Sequence, residues 1–133
     1  MKDLKASDVM VRPVVAAKKN AQARDVALQL LDGLYSGMPV TDDNDAVIGV
    51  VSELDILDAV LKEKQLEKIT AGEIMTPNPV TADVATPLAD IVKLMKKKNI
   101  IRLPITAEGK LVGVVARCDI LKTLIEPEFV TYM

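Results

Sequence analysis

The sequence contains no histidine at all, one cysteine (Cys118) and only three aromatic residues, Tyr35, Phe129 and Tyr132. Without imidazole there is no His ligand for a metal and no His general base, and a single thiol cannot form an internal disulfide. Zinc sites and Ser/His/Asp catalysis therefore fall away. A planar ligand would have to lie between aliphatic side chains and backbone, because there are almost no rings to stack on. Positive charge is not in excess either. The formal net charge is −2 and the pI about 5.2, which gives no broad field for nucleic acid or an anionic membrane. No run approaches the ~20 apolar residues of a membrane helix, and the charged opening Met1–Lys5 has no apolar segment behind it to make a signal peptide. A cytoplasmic chain is expected, with neither nucleic acid nor membrane as partner.

Half of the 133 residues are hydrophobic, enough for a real core in a chain of domain size, and that half is arranged in a repeat. Met10 matches Met75 and Pro39 matches Pro104 at a separation of 65, while Gly49 matches Gly113 and Asp55 matches Asp119 at 64. One residue is missing from a single loop. The most alike stretches run from Gly49 to Leu57 and from Gly113 to Leu121. A duplicated half implies a pseudo-two-fold architecture with a shared core, and makes whatever lies between the halves occur twice.

Each repeat opens on a short apolar-ended turn, Ala6 to Met10 and Gly72 to Met75, then a Pro-marked extended stretch, Pro13 to Ala16 and Pro79 to Thr81, read as a short strand. Helical spacing follows at Val26, Leu30, Leu31 and Leu34, and at Leu88, Ile91, Leu94 and Met95, where Thr86 is the expected N-cap and Pro87 the first helical residue. A hairpin comes next in each half: Met38 to Thr41 with Ala46 to Val51, and Leu103 to Thr106 with Leu111 to Val115. The proline in its first strand predicts an edge or strand-start position. Last come helices from Glu53 to about Leu66 and from Arg117 to about Glu126, the second ended before Pro127. Lys96-Lys97-Lys98 reads as a solvated helix end, where Lys complements the dipole. Residues 1–66 and 67–133 are thus two β-α-β-β-α repeats of an α/β (α+β) fold, expected to form one compact module.

A duplicated unit of this kind, with Gly-apolar-apolar-Ser/Thr-x-x-Asp at its last strand-to-helix junction, resembles the cystathionine β-synthase (CBS) domain pair, or Bateman module. The marks are Val9-Met10 and Ile74-Met75-Thr76-Pro77, Val14-Val15 and Val80-Thr81, Met38-Pro39-Val40 and Leu103-Pro104-Ile105, and the Gly-to-Asp run, each recurring in register. The resemblance covers nearly the whole chain. It implies halves packed through their sheets, two clefts that commonly bind adenosine compounds, and a disc-like homodimer. By the family pattern one cleft joins Ser52 and Asp55 to Thr76, Val80, Ile101, Arg102 and Leu103. The other sets Asp119 against Val11, Val15 and Met38. Val50 and Val114 are core residues at a position the family also turns toward adenine, and Arg102 is placed to meet a ligand phosphate, as a guanidinium fork does well.

Two explanations of the acidic pair stand side by side. Ser52-x-x-Asp55 ahead of an apolar helix is close to a capping box, whereas a carboxylate at a strand-to-helix junction can also accept the hydroxyls of a ribose. In the second repeat Ala116 has replaced the capping hydroxyl while Asp119 remains. Arg102 faces Gly37 in the alignment, so the clefts are expected to differ, with the Asp55 one the better nucleotide site. Met10 and Met75, matched in the repeat, read as packing residues, and Cys118 as a buried, inert one. The tail from Pro127 carries Phe129, Val130 and Tyr132, an apolar end expected to pack on something.

The function implied is a stand-alone regulatory or sensor module that binds AMP, ADP, ATP or S-adenosylmethionine without turning it over. No cofactor or metal is required, and any effector is a separate protein. The alternative is a ligand-independent dimerisation scaffold or accessory subunit in which the Asp residues are only helix caps. Catalysis has little support, because no His, Lys or nucleophile accompanies the carboxylates in any motif.

Overall fold

The computed structural model describes residues 3–33 and 35–132, with side chains through residue 125; Leu34 and the side chains of the apolar tail lie outside the described residues. In chain order the elements are α1 (Ala6–Val9), β1 (Ala17–Lys18), α2 (Ala23–Gly33), β2 (Gly37–Thr41), β3 (Val47–Ser52), α3 (Glu53–Leu61), α4 (Ala71–Ile74), β4 (Thr76–Pro77), β5 (Ala82–Asp83), α5 (Leu88–Lys98), β6 (Arg102–Ala107), β7 (Lys110–Ala116) and α6 (Arg117–Tyr132). The β-α-β-β-α unit occurs twice, as β1-α2-β2-β3-α3 and β5-α5-β6-β7-α6. The strands expected at Val14-Val15 and Val80-Thr81 form three and two residues later, as the two-residue β1 and β5.

The chain forms two compact units, Val15–Pro79 and Met1–Val14 with Val80–Met133. These do not follow the chain division at residue 66. The lead-in of each repeat belongs with the other repeat, and backbone hydrogen bonds explain why. In one unit the Leu88 N–H, the first of α5, donates to Leu4 O (2.8 Å), while Ala6 N donates to Thr86 O (2.9 Å). In the other, the Ala23 N–H that starts α2 donates to Ile69 O and Ala71 N to Ala21 O (2.9 and 2.8 Å). A helix start leaves N–H groups without intrahelical partners, and here a carbonyl from the exchanged lead-in takes one of them. Thr86 accordingly is not the N-cap. Pro87 holds that position, with no side-chain cap bond.

Each unit has its own apolar cluster. Unit Val15–Pro79 carries a sheet of order β1-β2-β3-β4 and buries Val26, Leu30, Met38, Val40, Val51 and Ile56. The other carries β5-β6-β7 and buries Leu88, Ile91, Met95, Leu103, Ile105 and Val115. Each such side chain contributes about 1.5–3 kcal/mol by leaving water. The strands alternate as a half-covered sheet requires: Met38 pairs with Val51 and Leu103 with Val115 on the core side, so Val50 and Val114, one residue along, lie on the opposite side. Val50 is half-buried and outside the core cluster, contrary to its expected core place. Pro39 and Pro104 sit in interior strands, not edge strands. They are tolerated because β1 reaches only Val40 and Thr41, and β5 only Ile105 and Thr106, which leaves the start of β2 and β6 with a neighbour on one side.

Three helix details differ from expectation. Leu31 is 70% exposed, because α2 buries only the stripe Ala23, Val26 and Leu30. α3 stops at Leu61: Glu63 adopts φ +62° and the Lys64 N–H turns back to Ala59 O at 3.0 Å, a left-handed helix exit. α6 continues through Pro127 to Tyr132, which proline's helical φ permits although it withholds one i→i−4 hydrogen bond and crowds the preceding turn; Cys118 at its start, expected to be buried, is exposed. The lysine run 96–98 does end α5, followed by Asn99 at φ +54°.

Candidate functional site

The site is built from the strand-to-helix junction and from the sheet face turned away from the core. In unit Val15–Pro79, β3 pairs Ser52 with Gly37, and Val50 with both Pro39 and Thr76, so these residues share that face. Ser52 is extended (φ −116°, ψ 169°) and caps α3. The Asp55 N–H donates to Ser52 Oγ (3.2 Å), the Ser52 N–H donates to Asp55 Oδ2 (2.8 Å), and the Ser52 hydroxyl lies 3.1 Å from the same oxygen. The capping box is complete. It occupies only one carboxylate oxygen, however. Oδ1 faces the Thr76 hydroxyl at 3.5 Å, a long contact that leaves room on Oδ1 for a further donor.

Thr76 reaches this place because β4 runs against β3, an element that the sequence did not disclose. The approach is close: a Cβ on Gly49 would lie 2.4 Å from Met75 Sδ and 2.8 Å from Thr76 O. Gly49 and Met75, read separately as a junction mark and a packing residue, are two sides of one contact. Gly113 and Met10 repeat it in the other unit, with Met10 Sδ 2.6 Å from the same notional atom.

The second junction is a reduced copy. The Ala116 N–H donates to Asp119 Oδ2 at 2.8 Å, as Ser52 does to Asp55, but with Ala116 there is no hydroxyl to accept the Asp119 N–H. Val11 occupies the place of Thr76 and pairs with Val114 through Val11 N to Val114 O (2.8 Å). Both hydroxyls around Asp55 are thus absent around Asp119. The survival of Asp119 without a serine has a structural cause: the half of the box that remains is the half the carboxylate makes.

The other predicted residues divide by side-chain direction. Arg102 opens β6 opposite Ala116, exposed and on the same sheet face as Val114 and Pro104. Ile101 is 65% exposed, and its carbonyl accepts the Arg117 N–H at 3.0 Å. Val15 is 39% exposed, and Val80 packs partly on the Leu103 cluster. Met38 and Leu103 turn their side chains into the two cores, so only their backbone can meet a ligand. Beside Asp55, a hollow of about 130 Å³ is lined by Asp58, Lys62, Lys64 and Glu73 among others. That is smaller than the several hundred Å³ a nucleoside-sized ligand needs. Among the described residues there is no group of three or more Cys, Asp or Glu side chains that could hold a metal ion, and no helix long and apolar enough to cross a membrane.

These features define a class: a duplicated α/β module in which each repeat presents a capped acidic residue at its last strand-to-helix junction. The chain belongs to the CBS-domain family, whose domain model matches residues 6–62 and 71–126, and its fold is that of a tandem CBS pair. It is 31% identical to the protein MJ1404 of Methanocaldococcus jannaschii over 92% of this chain and 32% of that one. The chain spans 32% to 66% of the length of four curated relatives that it matches. Among solved structures it is similar to CBSX2, from Arabidopsis thaliana, in complex with AMP (26% identity, 93% of this chain and 98% of that one, TM-score 0.79). It is also similar to the CBS domain pair of MJ0100 in complex with 5′-methylthioadenosine and S-adenosyl-L-methionine (26% identity, 93% and 98% covered, TM-score 0.77).

Proposed function

We propose that this CBS pair is a regulatory module that binds an adenosine-containing ligand, AMP, ADP, ATP or S-adenosylmethionine, and that Asp55 is its principal contact. The observation that carries this is the division of labour within one carboxylate: Oδ2 is held by the Ser52 backbone N–H, while Oδ1 faces outward beside the Thr76 hydroxyl. A carboxylate fixed in this way is preorganised to accept ribose hydroxyls. The complexes of CBSX2 with AMP and of MJ0100 with S-adenosyl-L-methionine support the ligand class. Val50 offers an aliphatic surface for the base, and Arg102, exposed on the outer sheet face of its own unit, is the candidate for a phosphate contact. Recognition proceeds without turnover. Regulation requires that two conformations differ in their affinity for the ligand, and the signal passes through a homodimer or to a separate effector protein.

A scaffold function without ligand is the second reading, favoured by one observation: the caps at Ser52/Asp55 and Ala116/Asp119 close with protein groups alone. Calorimetry with AMP, ADP, ATP and S-adenosylmethionine separates the two. Binding of at least one below the millimolar range is expected, and no binding by any of the four would put the scaffold in its place.

A further inference from the structure

The hollow beside Asp55 is built by one unit alone, and its walls are chemically mixed. α3 supplies Asp58 and Ala59, and α4 supplies Glu73 and Ile74. Lys62 forms the C-cap of α3, and the left-handed turn at Glu63 (φ +62°) brings Lys64 back to the same opening, its N–H on Ala59 O at 3.0 Å. Ala59 is buried and Ile74 packs partly on the Met38 cluster, so an aliphatic floor lies beneath four charged side chains.

The charged groups keep binding capacity after their own contacts are made. Asp58 gives Oδ2 to Lys62 (2.9 Å). Glu73 gives Oε1 to the Thr70 N–H and hydroxyl (3.3 and 3.0 Å). Asp58 Oδ1 and Glu73 Oε2 are left able to accept from a further donor, and Lys64 is in no ion pair with a described residue. With Asp55, the hollow holds three carboxylates and two ammonium groups, one negative charge in excess. A phosphate, bringing about two negative charges at neutral pH, meets repulsion there. A zwitterion with an ammonium and a carboxylate on one carbon finds partners for both. The volume of about 130 Å³ is that of about four waters of the liquid, room for a short chain.

We infer that this hollow is a subsite for an α-amino acid carried on the 5′ carbon of the ligand, so that the site at Asp55 prefers an adenosine compound of the S-adenosylmethionine type over a nucleotide. This rests on the ribose contact proposed above and adds what lies beyond the sugar. The ligand's α-ammonium donates to Asp58 Oδ1 and Glu73 Oε2, its carboxylate accepts from Lys64, and its methylenes cover Ala59 and Ile74. The sulfonium of S-adenosylmethionine adds attraction to the carboxylate excess. Asp119 has no such hollow by the same construction. α6 runs on to Tyr132 where α3 stops at Leu61, Lys122 stands for Asp58, and Thr123 stands for Ala59 with its hydroxyl bonded to Asp119 O (2.9 Å).

Calorimetry on the full chain with S-adenosylhomocysteine and 5′-methylthioadenosine isolates the tail, because both carry adenosine and an uncharged sulfur and differ in the amino acid. S-adenosylhomocysteine is expected to bind about tenfold more tightly, the sum of several individually weak charge contacts. S-adenosylmethionine should bind at least as tightly as that, and AMP more weakly than either. Lys64→Ala, at an exposed side chain, should cost both tailed ligands about fivefold and leave 5′-methylthioadenosine unchanged, which also shows that the variant is folded. Equal binding of S-adenosylhomocysteine and 5′-methylthioadenosine, AMP as the tightest ligand, or a Lys64→Ala effect that is absent or shared by all ligands would overturn the subsite. In each of those cases, binding of 5′-methylthioadenosine or AMP that Asp55→Ala abolishes leaves the adenosine reading standing. If none of the four binds below the millimolar range, the adenosine reading fails and the subsite falls with it.

Discussion

Adding one methyl group at Gly49 and at Gly113 should have unequal consequences, because the two contacts differ in what stands in the way. At Gly113 the nearest atoms to an added Cβ are Sδ, Cγ and Cβ of Met10, at 2.6, 2.9 and 3.1 Å. The sulfur and Cγ can rotate aside, while Cβ, fixed to its backbone, need give only a few tenths of an ångström. At Gly49 the Met75 sulfur is at 2.4 Å, but the Thr76 carbonyl oxygen is also at 2.8 Å, and a backbone atom in a paired strand can yield only by moving β4. Overpacking of this kind costs about 1–3 kcal/mol, and replacing glycine by alanine in extended backbone returns about 0.4–1 kcal/mol through the unfolded state. The net expected for Gly113→Ala is within about 1 kcal/mol of zero, and for Gly49→Ala a loss of about 2 kcal/mol. At ~4 °C per kcal/mol for a chain of this size, the second lowers Tm by roughly 8 °C. Thermal and urea unfolding followed by circular dichroism would measure both. The decisive addition is Met75→Ala in the Gly49→Ala background, which should recover only part of the loss, since the Thr76 carbonyl remains. Equal losses at the two glycines, or complete recovery with Met75→Ala, would show that the β4 backbone is not what excludes a side chain there.

Asp55→Ala should weaken adenosine-ligand binding more than Asp119→Ala in calorimetry, because Asp119 has Ala116 and Val11 where Asp55 has Ser52 and Thr76; equal losses would tell against unequal sites. Arg102→Ala should weaken phosphorylated ligands far more than adenosine, and a similar loss for both would remove its phosphate role. Ser52→Ala should lower stability by about 1 kcal/mol through the cap. Conversely, Ala116→Ser should raise stability by about 0.5–1 kcal/mol in urea unfolding, because the Asp119 carboxylate already makes the other half of the box.

What could be read from the sequence was what local chemistry decides. The two Gly-to-Asp junctions appear as written, since a cap involves residues three apart and needs no tertiary information. The β-α-β-β-α order, the two hairpins and the lysine-rich end of α5 follow in the same way. The exchange of lead-ins is not legible in the repeat spacing itself; only the family pattern, which sets Thr76 beside Asp55 and Val11 beside Asp119, points to it. Met10 and Met75 match at one offset and Gly49 and Gly113 at another, and that bookkeeping is the same whether each methionine packs on its own repeat or on the other. The hydrogen bonds of Leu4 and Ile69 to helix starts more than forty residues away decide it. Helix limits failed for a related reason. Thr86 is a good cap by type, but Leu4 O had already taken the N–H at the start of the helix, and Leu31 fits the apolar period yet lies on a face that its own unit does not cover.

The places where the duplication has been kept and where it has drifted therefore sort by physical role. Kept in both units are the contacts on which the backbone depends: glycine against methionine, lead-in carbonyl against helix N–H, carboxylate against the junction N–H. Drift appears on surfaces the unit itself leaves open, and in two separate patterns. On the sheet face away from the core, Gly37, Ser52 and Thr76 stand against Arg102, Ala116 and Val11, so polar groups are redistributed while backbone geometry is held. On the helical face, carboxylates stand against cations at matched positions. One helical face carries more carboxylates and the other more cations, around an exposed leucine kept at Leu57 and Leu121.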